Sequence, residues 1–259
     1  MSPLRIAVFG GGHLGTIHAR LLQQVHDAQL LAIVEPNPQR AVELKQQFAC
    51  DVVTDVDGYA ATADFDAAVL AAPTTLHHKL GLQLFARGIH CLIEKPLAPT
   101  ESECRELVEA AEQSHSILQV GHVERFNPAW TSLCSEIGEP RLIEAYREAP
   151  LTFRSLDAGV ILDLMIHDID LIQAVVKSSV AQVQANGYAW TGPAEDFASA
   201  RVTFANGAIA NLTASRISCK PKREMRIWGH DWYGEIDFAS RTGHVIDAPE
   251  SKTWQSASF

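Results

Sequence analysis

Three glycines near the N-terminus have the spacing of a dinucleotide-binding turn. Residues 10–15 read GGGHLG, which satisfies G-x-G-x-x-G after an apolar strand-like run and before an amphipathic stretch. Gly10 would permit the tight turn, Gly12 would let the backbone approach a pyrophosphate, and Gly15 would let the helix pack closely on the strand. Because a helix N-terminus favours an anion, His13 and Leu14 are candidate cofactor contacts. The string alone also fits an ordinary strand–helix turn, but its context predicts a dinucleotide site.

A carboxylate stands where such a site would read the ribose of the cofactor. Glu35 ends the second apolar run, 20 residues after Gly15. A carboxylate there accepts hydrogen bonds from the ribose hydroxyls and repels a 2′-phosphate, which predicts NAD in preference to NADP. Arg40 lies nearby and could weaken that preference, but Pro36 occupies the position where a phosphate-binding arginine would more naturally fall.

Two further segments follow strand-like runs and carry polar groups. The run at 67–71 leads into Ala72, Pro73 and Thr74 with His77 beyond, and the run at 90–93 leads into Glu94-Lys95-Pro96. The carboxyl ends of parallel strands line the ligand crevice of an open α/β sheet, so these residues are candidate cofactor contacts. Lys95 would reach the nicotinamide or the substrate. The alternative for a lysine at a strand end is a solvated surface charge.

A helix-like segment at 159–176 combines acidic and imidazole groups with apolar residues. Asp163 and His167 are four residues apart and share one helix face, so the carboxylate could orient a basic imidazole. A histidine in such a segment is otherwise a satisfied core residue. Asp168 or Asp170 could complete a metal site instead, but we expect no metal because no other His/Cys cluster has the required spacing.

The order of the elements predicts two domains. Short apolar strands alternate with helices up to Gly121, which indicates a doubly wound parallel sheet of the Rossmann type over residues 1–121. Residues 122–259 begin with a helix near 128–137 and continue mainly as strands, with Asn206-Gly207 as a hairpin signal. We therefore expect a C-terminal α+β domain built on a mainly antiparallel sheet.

Composition narrows the class of partner. The chain has 259 residues, of which 47% are hydrophobic and 20% charged, and its formal net charge is −10. This acidity argues against nucleic acid and anionic membranes as partners. The five cysteines contain no C-x-x-C pair, and no apolar stretch suits a signal peptide or a membrane span, so we expect a cytoplasmic protein with reduced thiols.

The glycine motif, Glu94-Lys95-Pro96 and the G-x-x-x-D-x-x-x-H pattern at 159–167 together resemble the glucose–fructose oxidoreductase/inositol dehydrogenase (Gfo/Idh/MocA) family. The resemblance covers essentially the whole chain and implies an NAD-dependent dehydrogenase acting on a CH–OH group. It implies that Lys95 is the catalytic lysine and that Asp163 and His167 are the second-domain pair. His122, Arg125 and Asn127 would face a sugar nucleotide together with that pair.

Within the family, segments 120–128 and 159–171 look most like bacterial UDP-N-acetylglucosamine 3-dehydrogenases, which supply an aminotransferase in the synthesis of lipid A amino sugars. This resemblance implies oxidation of the sugar 3-hydroxyl, with His167 as the base and Lys95 stabilising the alkoxide, or with these two roles exchanged. The alternatives are a dehydrogenase of another sugar or of a polyol such as inositol, or a truncated, non-catalytic NAD-binding relative. Because family members usually exceed 300 residues and this chain stops at Phe259, we expect an exposed strand edge and an incomplete surface for a homo-oligomer.

Overall fold

The computed structural model describes residues 2–151 and 158–247. The chain divides into two compact units, Met1–Gly121 and His122–Phe259. The expectation of a missing C-terminal segment concerns the end of the chain. Residues 251–258, at that end, lie outside the described residues.

The first unit is built on a six-stranded parallel sheet. Its strands are β1 (Leu4–Phe9), β2 (Ala28–Val34), β3 (Asp51–Val53), β4 (Ala67–Leu70), β5 (His90–Ile93) and β6 (Leu118–Val120). Their order is β3-β2-β1-β4-β5-β6, with every neighbouring pair parallel. This is the doubly wound order in which a ligand crevice opens where the strand order reverses, beyond the carboxyl ends of β1 and β4. The predicted Rossmann fold is confirmed.

Helices cover both faces of this sheet. They are α1 (His13–Leu22), α2 (Pro38–Gln47), α3 (Val56–Thr62), α4 (Thr74–Phe85) and α5 (Glu101–Gln113). Alternation along β1 sends Phe9 into one core with Leu84 and Leu107, and Val8 into another with Leu44. Buried apolar strands covered on both faces explain why these runs read as continuously hydrophobic.

Some boundaries in the first unit differ from the prediction. The amphipathic pattern after the glycine turn predicts a helix over about residues 13–25, but α1 ends at Leu22. Beyond it the chain tightens into three-residue turns, with the Val25 N–H bonded to the Leu22 carbonyl. The sequence pattern predicts the next helix over about residues 76–87, but α4 begins at Thr74, because Pro73, which has no N–H to satisfy, occupies the N-cap position. The short elements β3 and α3 have no strong pattern in the sequence and were not predicted.

The second unit contains a seven-stranded sheet. Its strands are β7 (Leu142–Glu148), β8 (Val180–Tyr188), β9 (Phe197–Phe204), β10 (Ile209–Ser215), β11 (Lys222–Trp228), β12 (Trp232–Asp237) and β13 (Thr242–Asp247). The order is β13-β12-β11-β7-β10-β9-β8; β7 and β10 are parallel, and the other neighbours within the described strands are antiparallel. The predicted α+β domain on a mainly antiparallel sheet is confirmed.

One face of this sheet packs against the helices of the unit. α6 (Pro128–Glu136) and α7 (Ile166–Val176) contribute Leu133 and Leu171 to a core that also contains Ile143 of β7 and Leu212 of β10. β7 was not predicted because charged residues interrupt its apolar alternation. The predicted hairpin joins β9 to β10, with Gly207 at a φ of 87°, a conformation that glycine adopts without strain.

The helix predicted over residues 159–176 is not a single α-helix. Ile161–Met165 forms a π turn, in which the Ile166 N–H bonds to the Ile161 carbonyl, and α7 follows from Ile166. A π turn inserts one extra residue into the helical repeat, and such turns are frequent at functional sites. Periodicity in the sequence cannot distinguish this local widening from a regular helix.

The described residues bear on two expectations, that no segment spans a membrane and that the cysteines are reduced. Within residues 2–151 and 158–247, no helix has the length and apolar character needed to cross a bilayer. All five cysteines lie in these ranges and are free thiols.

Candidate functional site

The glycine turn after β1 is closely packed at Gly10 and Gly15 and open at Gly12. Gly10 has a φ of 99°, and a β-carbon there would lie 2.6 Å from the Ala71 carbonyl oxygen. A β-carbon on Gly15 would overlap the Gly10 carbonyl, so helix and turn touch at this point. Above Gly12, by contrast, no heavy atom lies within 4 Å of such a β-carbon. This open space at the start of α1 fits a phosphate group, to which the first turn presents its N–H groups.

The middle glycine has a role that the motif did not reveal. Gly11 donates its N–H to Glu35 Oε2 at 2.8 Å, and a β-carbon on Gly11 would collide with the Leu44 side chain and crowd Glu35. The other carboxylate oxygen, Oε1, accepts the Asn37 N–H at 2.9 Å. Glu35 therefore joins the glycine turn to the end of β2. The additional glycine in GGG was the only signal in the sequence.

Arg40 is engaged within the protein. Its Nε donates to the Gly11 carbonyl at 2.9 Å, and its two terminal nitrogens contact Thr16 Oγ1 at 3.0 Å and Glu43 at 2.5 Å. These hydrogen bonds hold the Arg40 guanidinium against the glycine turn, so these donors are already used and are not directed to a 2′-phosphate. This arrangement agrees with the preference for NAD expected from Glu35.

The segment after β4 is held by a buried histidine. Ala72 and Pro73 form the connection, and Thr74 is already the first residue of α4. The His77 ring is buried, with Nε2 2.9 Å from the Ala72 carbonyl oxygen and Nδ1 3.1 Å from the Pro96 carbonyl oxygen. His77 therefore ties the segment after β4 to the segment after β5, and a direct contact with the cofactor is not needed to explain its place.

Glu94 and Lys95 follow β5, at the expected edge of the sheet. The Lys95 side chain is partly exposed, and the Lys95–Pro96 peptide bond is cis. Glu94 is 5% exposed, and its Oε1 lies 2.7 Å from His18 Nε2 on α1. No sequence pattern connects His18 with Glu94, since the two residues are 76 positions apart.

In the second unit, Asp163 lies on the π turn and His167 on the first turn of α7, both partly exposed. The start of this segment is held by Glu195, whose Oε1 accepts the Ile161 N–H at 3.1 Å. A β-carbon on Gly159 would overlap the Glu195 carboxylate. The glycine of the G-x-x-x-D-x-x-x-H pattern is thus required by close packing.

The neighbouring residue Asp196 fixes the loop that carries Glu195. Its carboxylate accepts the N–H groups of Trp190 and Thr191, each at 2.6 Å, and Arg216 Nε lies 3.4 Å away. The amide hydrogen bonds from Thr191 and Trp190 hold the pKa of the Asp196 carboxyl below its ordinary value. The loop therefore presents Glu195 to the helix start in a fixed position.

Asp168, considered above as a metal ligand, lies in a buried ion pair. Arg147 occupies an inward position of β7 and donates from Nε and a terminal nitrogen to the Asp168 carboxylate at 2.8–3.2 Å. Burial raises the pKa of the Asp168 carboxyl, and the guanidinium opposes that shift. The pair fixes α7 to the sheet. Among the described residues, no three His, Cys, Asp or Glu side chains are grouped to hold a metal ion.

Two of the three remaining substrate candidates, Arg125 and His122, lie against α7. Arg125 makes a two-point ion pair with Asp170, at 2.5 and 2.7 Å, and His122 Nε2 lies 3.7 Å from the same carboxylate. Asn127 is the N-cap of α6 and also donates to the Phe238 carbonyl at 3.2 Å. Asn127 therefore has a structural role, whereas Arg125 and His122 lie with Asp170, one helical turn beyond His167.

Comparison with known proteins agrees with this geometry. The Gfo/Idh/MocA model described as an oxidoreductase family with an NAD-binding Rossmann fold matches residues 4–122, and the model of the GFO/IDH/MocA C-terminal domain matches residues 134–231. The chain is 38% identical over 246 residues to the UDP-N-acetylglucosamine 3-dehydrogenase of Acidithiobacillus ferrooxidans, covering 95% of this chain and 77% of that protein. This chain belongs to the Gfo/Idh/MocA oxidoreductase family. As a family member it is an NAD-dependent dehydrogenase.

Other members of the Gfo/Idh/MocA family are also similar. The scyllo-inositol 2-dehydrogenase (NAD(+)) of Bacillus subtilis is 27% identical, with coverage of 90% of this chain and 71% of that protein. A solved structure of the Acidithiobacillus ferrooxidans enzyme matches with a TM-score of 0.89 over 95% of this chain and 81% of that chain. The likeness therefore extends over both units.

Proposed function

We propose that this Gfo/Idh/MocA enzyme oxidises the 3-hydroxyl of UDP-N-acetylglucosamine to the 3-keto sugar with NAD⁺. The 38% identity to the 3-dehydrogenase, sustained over 95% of this chain, carries the proposal. The intact set of Lys95, Asp163 and His167 supports catalysis, because oxidation of a secondary alcohol needs a base and a group that stabilises negative charge on oxygen.

The cofactor would be held by residues of the first unit. Gly12 and the first turn of α1 would offer space and N–H donors to the pyrophosphate, and Glu35 would accept hydrogen bonds from the ribose hydroxyls. Only two of the lone pairs on the Glu35 carboxylate are used by backbone N–H groups, so the carboxylate can still accept from ribose hydroxyls. When bound, the nicotinamide ring supplies the hydride acceptor.

In the proposed reaction, His167 takes the proton from the 3-hydroxyl. Asp163 orients the imidazole and stabilises the imidazolium that results. Lys95, as an ammonium group, donates a hydrogen bond to the same oxygen and offsets the charge that develops as the hydride leaves. The opposite assignment, with a neutral Lys95 as the base, uses the same residues.

Substrate contacts are proposed for the group around Asp170. The Asp170 carboxylate fixes the Arg125 guanidinium, which is half-exposed and therefore able to bind an anionic group of a sugar nucleotide while paired. We further propose that the 3-keto product is taken by an aminotransferase of lipid A amino-sugar synthesis. A ketone at carbon 3 is the group that an aminotransferase converts to an amine.

The substrate is tested by mixing the purified chain with NAD⁺ and a panel of UDP-sugars and free polyols, and following NADH absorbance. We expect NADH with UDP-N-acetylglucosamine and much less with UDP-glucose or free sugars. Turnover of inositol and none of UDP-sugars would favour the second candidate, a polyol dehydrogenase, to which the 27% identity to scyllo-inositol 2-dehydrogenase points.

A further inference from the structure

A histidine of α1 lies against the carboxylate that precedes Lys95. His18 Nε2 lies 2.7 Å from Glu94 Oε1, and the two side chains are 18% and 7% exposed. Because a carboxylate can only accept, the ring nitrogen carries the proton and donates. His18 comes one helical turn after Gly15, so it belongs to the helix whose first turn faces the cofactor site.

The same carboxylate contacts two other segments. Its second oxygen, Oε2, accepts the backbone N–H of Lys95 at 3.3 Å. Gly121 packs against it so closely that a β-carbon there would lie 2.8 Å from Oε2. One buried carboxylate thus connects α1, the segment after β5 and the residue after β6.

The His18–Glu94 pair differs from a surface ion pair because its carboxylate also binds the Lys95 backbone. A buried carboxylate is costly unless its oxygens are hydrogen-bonded, so loss of either contact would force Glu94 to move. Since the Glu94 carboxylate accepts the Lys95 N–H, movement of that carboxylate removes a hydrogen bond that holds the Lys95 backbone. His78 and Glu106 form a pair of similar length, 2.8 Å, between α4 and α5, but Glu106 is half-exposed and neither residue adjoins a strand end.

We propose that His18 and Glu94 form a positioning pair that fixes the Lys95 backbone relative to the helix that begins at the glycine turn. The pair thereby sets where the Lys95 ammonium group lies with respect to the bound cofactor. The consequence for turnover rests on the proposed function of Lys95, whereas the effect on the position of Lys95 does not. Neither residue is required to touch the substrate.

The first test measures Lys95 without any substrate. The variants His18→Leu, Glu94→Gln and the double variant are treated with an amine-reactive reagent, and modification of Lys95 is followed by peptide mass spectrometry. Lys45, exposed on α2, serves as the internal reference in the same chain. We expect the ratio of the Lys95 to the Lys45 rate to change by roughly threefold or more in each single variant, and no further in the double variant.

The matched controls are His78→Leu and Glu106→Gln, which remove a pair of the same chemistry from the same unit. They should leave the Lys95 ratio unchanged. An unchanged ratio in both His18→Leu and Glu94→Gln overturns the proposal, and so does an equal change in the controls. Glu94→Gln keeps the shape of the buried side chain, so a failure of His18→Leu to fold still leaves a decisive variant.

The second test separates positioning from cofactor binding. With the sugar substrate, we expect kcat to fall roughly 10- to 100-fold in His18→Leu and Glu94→Gln, because a small displacement of a reacting group is costly. The Kd for NAD⁺ and the substrate KM should change little. A loss confined to NAD⁺ affinity would contradict the proposal. If the unsubstituted chain oxidises no sugar, the proposed function fails, while the Lys95 modification rates still decide whether the pair positions Lys95.

Discussion

Substitution of Glu35 tests how this enzyme selects its cofactor. Both Glu35 oxygens accept backbone N–H groups, from Gly11 at 2.8 Å and Asn37 at 2.9 Å, and we expect the same carboxylate to accept from the ribose hydroxyls. Glu35→Gln preserves the shape of the side chain but replaces one acceptor by an NH₂ group and removes the negative charge. A 2′-phosphate would then no longer meet a like charge.

The magnitude follows from the hydrogen bonds. A bond to a charged group contributes about 1.5–3 kcal/mol, and about 1.4 kcal/mol corresponds to a factor of ten in affinity. Loss of one such bond to the ribose should therefore raise the Kd for NAD⁺, and equally that for NADH, roughly 10- to 100-fold. Affinity for NADP⁺ should fall less or improve, so the ratio of the two Kd values should narrow.

The assay is a titration of NADH and NADPH followed by nicotinamide fluorescence, for Glu35→Gln and for Asp57→Asn. Asp57 carries the same charge in the same unit but is exposed and paired with Lys79, so its substitution controls for the change in net charge. An unchanged NADH/NADPH ratio in Glu35→Gln would refute the role of this carboxylate. An equal narrowing in Asp57→Asn would show that the effect comes from net charge alone.

The other predictions concern the second unit. His167→Ala should lower turnover by roughly 10²–10⁴-fold. The Kd for NAD⁺ should not change, because the proposed cofactor contacts lie in the first unit. A lower melting temperature with full turnover per folded molecule would contradict the catalytic role of His167. Gly159→Ala should lower both melting temperature and turnover, since its β-carbon would overlap the Glu195 carboxylate, and added Glu195→Ala should restore part of the melting temperature. Asp196 has a depressed pKa in the folded state, so its contribution to stability is present above its unfolded pKa of about 4 and is lost as the pH falls through the lower folded value. Urea midpoints measured against pH should fall less steeply below about pH 4 in Asp196→Asn than in the unsubstituted chain.

The Rossmann fold could be predicted because its signals are local. The strands of a parallel sheet covered on both faces are short apolar runs, and the glycine spacing marks the first turn directly. The ends of these apolar runs also predict that Glu35 and Lys95 follow strands, as they do in the structure. The start of α4 is set by Pro73, which occupies the N-cap position, and the apolar pattern does not show this.

The supporting contacts could not be predicted because they join distant parts of the chain. His18 meets Glu94 across 76 positions, and the buried pair of Arg147 and Asp168 spans 21. The π turn at Ile161–Met165 adds one residue per turn without altering the apolar pattern enough to be recognised. The Gly159 packing requirement likewise became apparent only when Glu195 was seen against the helix start.

The proposed reaction is tested most directly by following the hydrogen at carbon 3 of the sugar. The enzyme is incubated with NAD⁺ and UDP-N-acetylglucosamine that carries deuterium at that carbon, and the NADH formed is analysed by mass spectrometry. The account predicts that NADH gains one deuterium and that the sugar nucleotide loses it as the 3-keto product forms. NADH without deuterium, or no NADH from this substrate while another sugar or a polyol is oxidised, would contradict it.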